Sequence, residues 1–438
     1  MPVMRETAVD IIRHLQNAGH EAYLVGGCVR DELRGVAPQD HDIATSAHPD
    51  EVEKLFTKTV GVGKQFGVML VVEQSQQYQV ATFRSDAEYI DGRRPTSVTF
   101  SNAKTDAERR DFTINGLFLD PVTNTLHDWV GGQADLEAKQ LRTIGKPKER
   151  FGEDHLRLLR AVRFAAQLDF EIEPETFDAV RELAEKIRAV SAERIRDELL
   201  KLFRSPHAAH GLDLLRDSGL MAHVLPELLP SINCDQSPDY HPEGTVYNHI
   251  RLALEKLPAD APITLPWAVL LHDIGKPHTS TVGTDGRIHF YGHEKVGTEM
   301  TEAILERLRF PRKQIDEITF TVRHHMQFKD VPRMRKATLR RLLLRPTFAL
   351  EREHHRIDCL ASHGRLDNLE ILDAEQTALD EQPALIPPLV TGHDLLALGI
   401  PGNSAMGKLL EDIRDRQLAE EFTTREEALA WAKEKAAQ

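Results

Sequence analysis

The sequence predicts a multidomain protein: an α/β head, with a mixed β-sheet and flanking helices, followed by an all-α body. Three observations carry this. Residues 21–130 alternate short apolar runs with turn residues, the texture of strands. After about residue 150, apolar residues recur at helical spacing among many Arg and Glu, with hardly any Pro. And 438 residues are too many for one compact core.

Taken in order, Met1 to Gly19 mixes charges into its apolar residues and reads as an amphipathic helix, not a signal peptide. Tyr23–Val25, Ile43–Thr45, Val68–Val72, Val80–Phe83 and Leu117–Leu119 read as strands. Phe151 to Phe203 reads as helix. Pro-rich breaks at Leu225 to Pro242 and Gln382 to Pro388 then set the expected divisions. These are a head over 1–150, a helical neck over 151–230, a helical body over 231–380 and a helical tail over 381–438. Neither solenoid repeats nor low-complexity tracts occur.

With 41% hydrophobic and 28% charged residues, the composition is that of a soluble globular protein. A net charge of −14 argues against nonspecific coating of nucleic acid. It leaves room for an RNA enzyme, because phosphate contacts need only a local basic patch. Arg333, Arg335, Lys336, Arg340, Arg341 and Arg345, with no acid between them, are the candidate patch. Cys28, Cys234 and Cys359 are too scattered for a disulfide framework or a thiolate zinc site, and suit a reducing compartment. No stretch approaches the ~20 apolar residues of a membrane span. A cytoplasmic protein with no membrane partner is expected; the oligomeric state is left open.

The head holds three motifs. Gly26-Gly27 ends a strand before the helix start Val29-Arg30-Asp31. Paired glycines let backbone approach a phosphate, and Arg30 could add a charge-assisted contact, although a Gly-Gly pair alone is more often just a turn. Thirteen residues beyond Gly27 comes Asp40-His41-Asp42, running into the strand Ile43–Thr45. Residues two apart on an extended chain share a side, so these carboxylates repel unless a cation lies between them, and Mg²⁺ favours such oxygen ligands. The third is Arg109-Arg110-Asp111-Phe112-Thr113-Ile114-Asn115. Arginine fits polyphosphate and Asp or Asn fits ribose hydroxyls; the bland alternative is a surface ion-pair cluster.

These motifs, with Asp128-Trp129-Val130-Gly131-Gly132, resemble the head of class II tRNA nucleotidyltransferases and bacterial poly(A) polymerases, and the resemblance runs over essentially the whole chain. It implies attack of an RNA 3′-hydroxyl on the α-phosphate of a nucleoside triphosphate, expelling pyrophosphate. Asp40 and Asp42 would hold Mg²⁺ and be catalytic; Gly27, Arg30 and Arg110 would hold the triphosphate; Asp111 and Asn115 would contact ribose. A third metal carboxylate is not identified. Gly116 departs from the family's usual Ala, with little effect expected on the chemistry.

In the neck, Glu153-Asp154-His155-Leu156-Arg157 precedes Arg160 and Arg163. For an arbitrary helix this is an exposed ion-pair ladder, with 153, 157 and 160 on one face. The family resemblance implies instead that Asp154 and Arg157 read the incoming base. Asp154 can accept from the exocyclic amine of cytosine or adenine, and Arg157 can donate to their ring acceptors. Guanine and uracil put a carbonyl where the amine belongs, leaving polar groups unpaired at about 1–3 kcal/mol each. Arg160 and Arg163 are expected at the phosphates. Glu193-Arg194-Ile195-Arg196-Asp197-Glu198 resembles the family's motif supporting that pocket.

The product is read from two stretches. Val60 to Met69 lacks the second basic residue and the His of the poly(A) polymerase signature, which points away from that activity. Asp86 to Pro95 is a charged, Gly-containing loop of the kind that enzymes adding only CC tend to lack, which favours addition of the terminal A. Full CCA addition from CTP and ATP to tRNA leads, with A addition alone or a poly(A) polymerase as the alternative.

Eleven of the 21 histidines lie between His241 and His363. His272-Asp273-Ile274-Gly275-Lys276, with His249 upstream and Asp358 downstream, resembles an HD phosphohydrolase domain, and His293 and His325 match the extra ligands of its two-metal members. Imidazole with carboxylate suits Mn²⁺, Fe²⁺, Ni²⁺ or Zn²⁺. The implied substrate is a phosphate or 2′,3′-cyclic phosphate at a tRNA end; His324, His354 and His355 read as bystanders. The tail from Leu389 resembles the family's tRNA-contacting helices. An HD phosphohydrolase with a merely RNA-binding head is the alternative from another class, and intact Asp40, Asp42 and Arg110 argue against it.

Overall fold

The computed structural model describes residues 2–86, 98–284 and 286–436. The chain separates into two compact units, Met1–Leu229 and Pro230–Gln438. Residues 87–97, which hold nearly all of the charged loop read as favouring A addition, lie outside the described residues.

The first unit opens with helix α1 (Pro2–Asn17) and strand β1 (Ala22–Val25), followed by α2 (Gly27–Leu33), β2 (Ile43–Thr45), α3 (Pro49–Leu55), β3 (Thr59–Gly63), β4 (Val68–Glu73) and β5 (Gln76–Thr82). A hairpin of β6 (Arg84–Asp86) and β7 (Val98–Phe100) leads to α4 (Ala103–Glu108), β8 (Phe118–Asp120) and β9 (Thr125–His127). One sheet runs β3-β4-β5-β2-β1-β8-β9. It is mixed: β2 pairs with β5 in parallel and the other pairings are antiparallel. Alternation along each strand sorts the side chains. Leu24, Ile43, Val71 and Val80 pack with Ile11, Ile12 and Leu15 of α1, whereas Val25, Ala44, Phe83 and Phe118 form a second cluster with Ala103 and Ala107 of α4. Burying each such Val, Ile, Leu or Phe contributes about 1.5–3 kcal/mol, an upper estimate against a compact unfolded chain.

The unit continues with α5 (Gly132–Glu137), the short strand β10 (Gln140–Leu141), α6 (Pro147–Glu153), α7 (Leu156–Leu168) and β11 (Glu171–Ile172). Helices α8 (Pro174–Leu183), α9 (Ala192–Phe203), α10 (Ala208–Asp217) and α11 (Met221–Val224) complete it. The helical stretch expected from Phe151 is interrupted at Asp154, which takes extended angles (φ −138°, ψ 106°) between α6 and α7. Its carboxylate accepts the Leu156 N–H at 3.1 Å, so the break doubles as a start signal for α7.

The second unit is helical apart from a two-strand ribbon. It comprises α12 (Val246–Glu255), α13 (Leu265–Leu271), α14 (Lys276–Thr279), the ribbon β12 (Thr281–Val282) and β13 (Ile288–His289), α15 (His293–Arg307) and α16 (Arg312–His324). Then come α17 (Lys336–Leu343), α18 (Phe348–Ala361), α19 (Asp367–Asp380), α20 (Gly392–Ala397), α21 (Ser404–Leu418) and α22 (Arg425–Ala436). Among the described residues no helix is long and apolar enough to cross a membrane.

The candidate basic patch is corrected here. Arg340 is fully buried, with Nε 2.5 Å from Glu375, Nη2 2.8 Å from Glu420 and Nη1 3.0 Å from the Leu418 carbonyl. Arg341 pairs with Asp415, Arg345 with Glu351 and Lys336 with Glu420. Four of the six cations therefore bind helices together, leaving Arg333 and Arg335 exposed.

Candidate functional site

Gly26 closes β1 with φ 73°, in the left-handed region that favours glycine. A Cβ there would lie 3.0 Å from Nη1 of Arg110, so the absent side chain lets that guanidinium sit over the turn. Asp40, His41 and Asp42 run extended into β2. His41 is buried, its Nε2 3.8 Å from Glu32 of α2. Counting back from β2 by alternation puts Asp42 on the side of Ala44, opposite the buried His41, and the exposed Asp40 stands two residues before it. The Arg110 guanidinium lies over the Phe118 ring at 4.9 Å on that face. Burial, and then the neighbouring charge of Asp40, push the Asp42 carboxyl up to about 6, with Arg110 offsetting only part. A carboxylate that holds its negative charge reluctantly beside a second one is a fit for a divalent cation.

Behind this pair runs a chain of hydrogen bonds. Arg30 donates from Nη1 to Asn115 Oδ1 at 2.8 Å, Asn115 donates from Nδ2 to Asp111 Oδ1 at 3.1 Å, and Arg160 donates from Nε to Asp111 Oδ2 at 2.8 Å. Burial alone would raise the Asp111 carboxyl, but Arg160, the Asn115 amide and Arg157 outweigh it and hold Asp111 well below the usual carboxylate range. Arg110 is oriented from α4, where Asp106 Oδ2 accepts from its Nη2 at 3.2 Å and Asp106 Oδ1 from Arg109 Nη2 at 2.7 Å. Asp106 has no place in the sequence reading. Its i,i+3 and i,i+4 spacing to the two arginines was the available signal.

On the neck, Asp154 and Arg157 are joined through the backbone, Arg157 N–H donating to the Asp154 carbonyl at 3.0 Å, but their side chains are not paired with each other. Asp154 Oδ2 accepts from Arg194 Nη2 at 2.8 Å. Arg157 pairs with Glu153 and donates to the backbone carbonyls of Arg150 at 2.9 Å and Arg109 at 3.2 Å. Arg163 is buried, paired with Glu198 of α9 and stacked over Phe164.

In the second unit all six predicted residues converge. His249 Nε2 lies 3.1 Å from His272 Nε2, 3.1 Å from Asp358 Oδ1 and 3.7 Å from Asp273 Oδ2. His293 Nε2 lies 3.1 Å from His325 Nε2, and Asp273 Oδ1 is 3.4 Å and 3.8 Å from the two. Asp273 thus faces one group of ligands with each oxygen. The two groups that share Asp273, His249–His272–Asp273 and Asp273–His293–His325, are compact enough to hold an ion each, as is a third on the outer side of His249, His241–Glu243–His249. Within the cluster burial would lower His249, but Asp358 and Glu243 push it up to about 9, whereas burial holds His293 and His325 below the usual imidazole range. Bringing this many imidazoles and carboxylates together in the interior fits transition-metal ligation.

The family model of the poly A polymerase head domain matches residues 22–142, that of the probable RNA- and SrmB-binding site of polymerase A matches 169–232, and the HD domain matches 239–361. The A-adding tRNA nucleotidyltransferase of Deinococcus radiodurans is 35% identical over 94% of this chain and 96% of its own length. The chain belongs to the class II tRNA nucleotidyltransferases, with an HD domain. The CCA-adding enzyme of Geobacillus kaustophilus is 46% identical over 50% of this chain; the match spans only 54% of that relative, about half its length. The crystal structure of the Bacillus stearothermophilus CCA-adding enzyme in complex with CTP has a TM-score of 0.75 and 28% identity, covering 98% of this chain and 97% of its own.

Set against the roles expected of a class II nucleotidyltransferase, the residues divide. Asp40, Asp42, Arg110 and Gly27 gather around the sheet end. Asp111, Asn115 and Arg160 form the chain behind them. Arg30, expected at the triphosphate, donates instead to Asn115 and, at 2.9 Å and 3.0 Å, to Asp31. Arg163, expected at phosphates, is sealed against Glu198. Both act in this structure as braces. The Glu193–Glu198 stretch supplies Arg194 to Asp154 and Glu198 to Arg163.

Proposed function

We propose that this chain adds C, C and A to the 3′ end of tRNA from CTP and ATP, releasing pyrophosphate. The observation that carries the reading is the pairing of Asp40 and Asp42 on the face that presents Arg110, beside the Gly26-Gly27 turn. Asp40 and Asp42 would hold Mg²⁺, which would supply a Lewis acid for the attacking 3′-hydroxyl and offset the charge of the leaving pyrophosphate. Arg110 and the backbone at Gly27 receive the triphosphate. Asp111 and Asn115 reach the ribose, held in place by Arg30 and Arg160. Asp154 accepts the amine of C or A, and Arg157 donates to the ring.

Addition of A alone is the second reading. It is favoured by the nearly full-length match to an A-adding relative. The test is incorporation of labelled CTP and ATP, with Mg²⁺, into tRNAs ending at the discriminator base, at C and at CC. Two C followed by one A on the first substrate supports CCA addition. A single A on the CC-ended tRNA alone assigns the second reading, and a long A tail would sink both.

The HD cluster is a metal-dependent phosphohydrolase site acting on phosphate or 2′,3′-cyclic phosphate ends of RNA, with Mn²⁺, Ni²⁺ or Zn²⁺ held by His249, His272, Asp273, His293, His325 and Asp358. It is tested with the same protein. Asp273→Ala abolishes release of phosphate from a 3′-phosphorylated or cyclic-phosphate tRNA while nucleotide addition survives; Asp40→Ala does the reverse. Loss of both activities in either variant contradicts two separate sites.

A further inference from the structure

The four histidines of the HD cluster each present Nε2 inward, so each ring is fixed by what its Nδ1 meets. His272, His293 and His325 donate from Nδ1 to the backbone carbonyls of Val269, Phe290 and Val322, at 2.8, 2.7 and 2.7 Å. His249 is the exception. Its Nδ1 lies 2.7 Å from Oε1 of Glu243, whose side chain is 3% exposed. The same oxygen receives His241 Nδ1 at 2.8 Å.

The backbone makes this contact durable. Glu243 sits in the turn before α12, where Thr245 caps the helix by accepting the Asn248 N–H. The Glu243 carbonyl accepts the Asn248 side-chain amide at 3.1 Å, and the Gln236 N–H donates to the Gly244 carbonyl at 3.0 Å. At the other end of the loop, Gln236 Oε1 accepts from Lys276 Nζ at 2.7 Å, and Lys276 lies 2.7 Å from Asp273 Oδ2. One loop therefore braces His249 and the lysine that follows the His-Asp pair.

We propose that Glu243 is a positioning residue that makes the His249 ligand group the tighter of two metal positions. A carboxylate on Nδ1 fixes the tautomer with Nε2 free and raises its basicity more than a carbonyl does. The His249 group also has the richer donor set: two imidazoles, Asp358 and one oxygen of Asp273. The His293–His325 group has two imidazoles and the other Asp273 oxygen. Metal therefore fills the His249 position first, and the second position is weaker and exchangeable.

This rests on the metal-site reading given above, and the test separates the two. Metal-free full-length protein is titrated with Ni²⁺ by calorimetry, and Co²⁺ loading is followed by its visible absorption. Wild type gives a tight and a weak phase. Glu243→Gln, which keeps an acceptor oxygen but not the charge, weakens the tight phase by about tenfold, and Glu243→Ala by up to about 100-fold. The weak phase stays, and the Co²⁺ band of the first equivalent shifts. His241→Ala, which leaves the Glu243–His249 contact, changes neither phase. Nucleotide addition to tRNA by each variant confirms a folded chain. Unchanged tight-phase affinity in both Glu243 variants overturns the proposal. If His249→Ala also leaves binding unchanged, the metal-site reading itself fails.

Discussion

The behaviour of single residues here follows from what faces them. Asp111 is ionised in the interior because Arg160 and Asn115 hold it so, and the sign of the resulting pH dependence is fixed. A carboxylate depressed on folding adds stability above its unfolded-state value near 4, and that stability is lost as pH falls through the acid range. Thermal denaturation between pH 7 and pH 2 should therefore show the wild type falling steeply below about pH 4. Asp111→Asn should start lower at pH 7 and fall less; parallel profiles would deny Asp111 this role. Glu198 makes the complementary case. Replacing it with Ala leaves the buried Arg163 with only the Gln167 amide oxygen, at 2.7 Å, and no charge partner, and removing one partner of such a pair costs about 3–5 kcal/mol. A midpoint shift in urea below 1 kcal/mol would show Arg163 finding water or another acceptor.

At the scale of elements, Gly116, next in the chain to Asn115, matters for packing as well as for its place beside the site. A Cβ there would meet Val130 Cγ2 at 2.7 Å and Ile144 Cδ1 at 3.2 Å. Gly116→Ala, the residue usual in the family, should destabilise the head by about 1–3 kcal/mol, and Val130→Ala in the same chain should recover most of it. No recovery would place the strain elsewhere. The sequence made the five head strands legible because apolar runs between glycines and turns leave few other conformations. It hid β3, whose Val60 and Val62 are exposed and whose alternate residues are glycine, and β9, three residues with a single aliphatic. The stop at Asp154 was also hidden: Gly152 stands inside the last turn of α6 rather than at the break, and no Pro follows it. The motif residues themselves were legible as a set, but not their partners. Arg340 reads as a phosphate ligand until Glu375 and Glu420, 35 and 80 residues away, are brought to it. Spacing along the chain carries no record of such neighbours.

For the molecule as a whole, the nucleotidyltransferase motifs and the His–Asp cluster fall in separate compact units, and under the proposed function each unit should answer to its own ligand. Anything that binds only the folded form stabilises it by mass action. Added Ni²⁺ or Mn²⁺ should raise the unfolding temperature of the second unit in wild type and not in a His272→Ala, His293→Ala double variant. An equal shift in the double variant would mean that the metal acts elsewhere. Nucleotide with Mg²⁺ should protect the first unit, and Asp42→Ala should remove that protection.

Asp273 meets one ligand group with Oδ1 and the other with Oδ2. A single carboxylate cannot serve two cations independently, because each draws on the charge that the other would use. Whatever factor the first ion imposes on the affinity of the second, the second imposes on the first. With metal at both positions, occupancy of the pair would be a cooperative quantity, a ratio of states rather than two separate saturations.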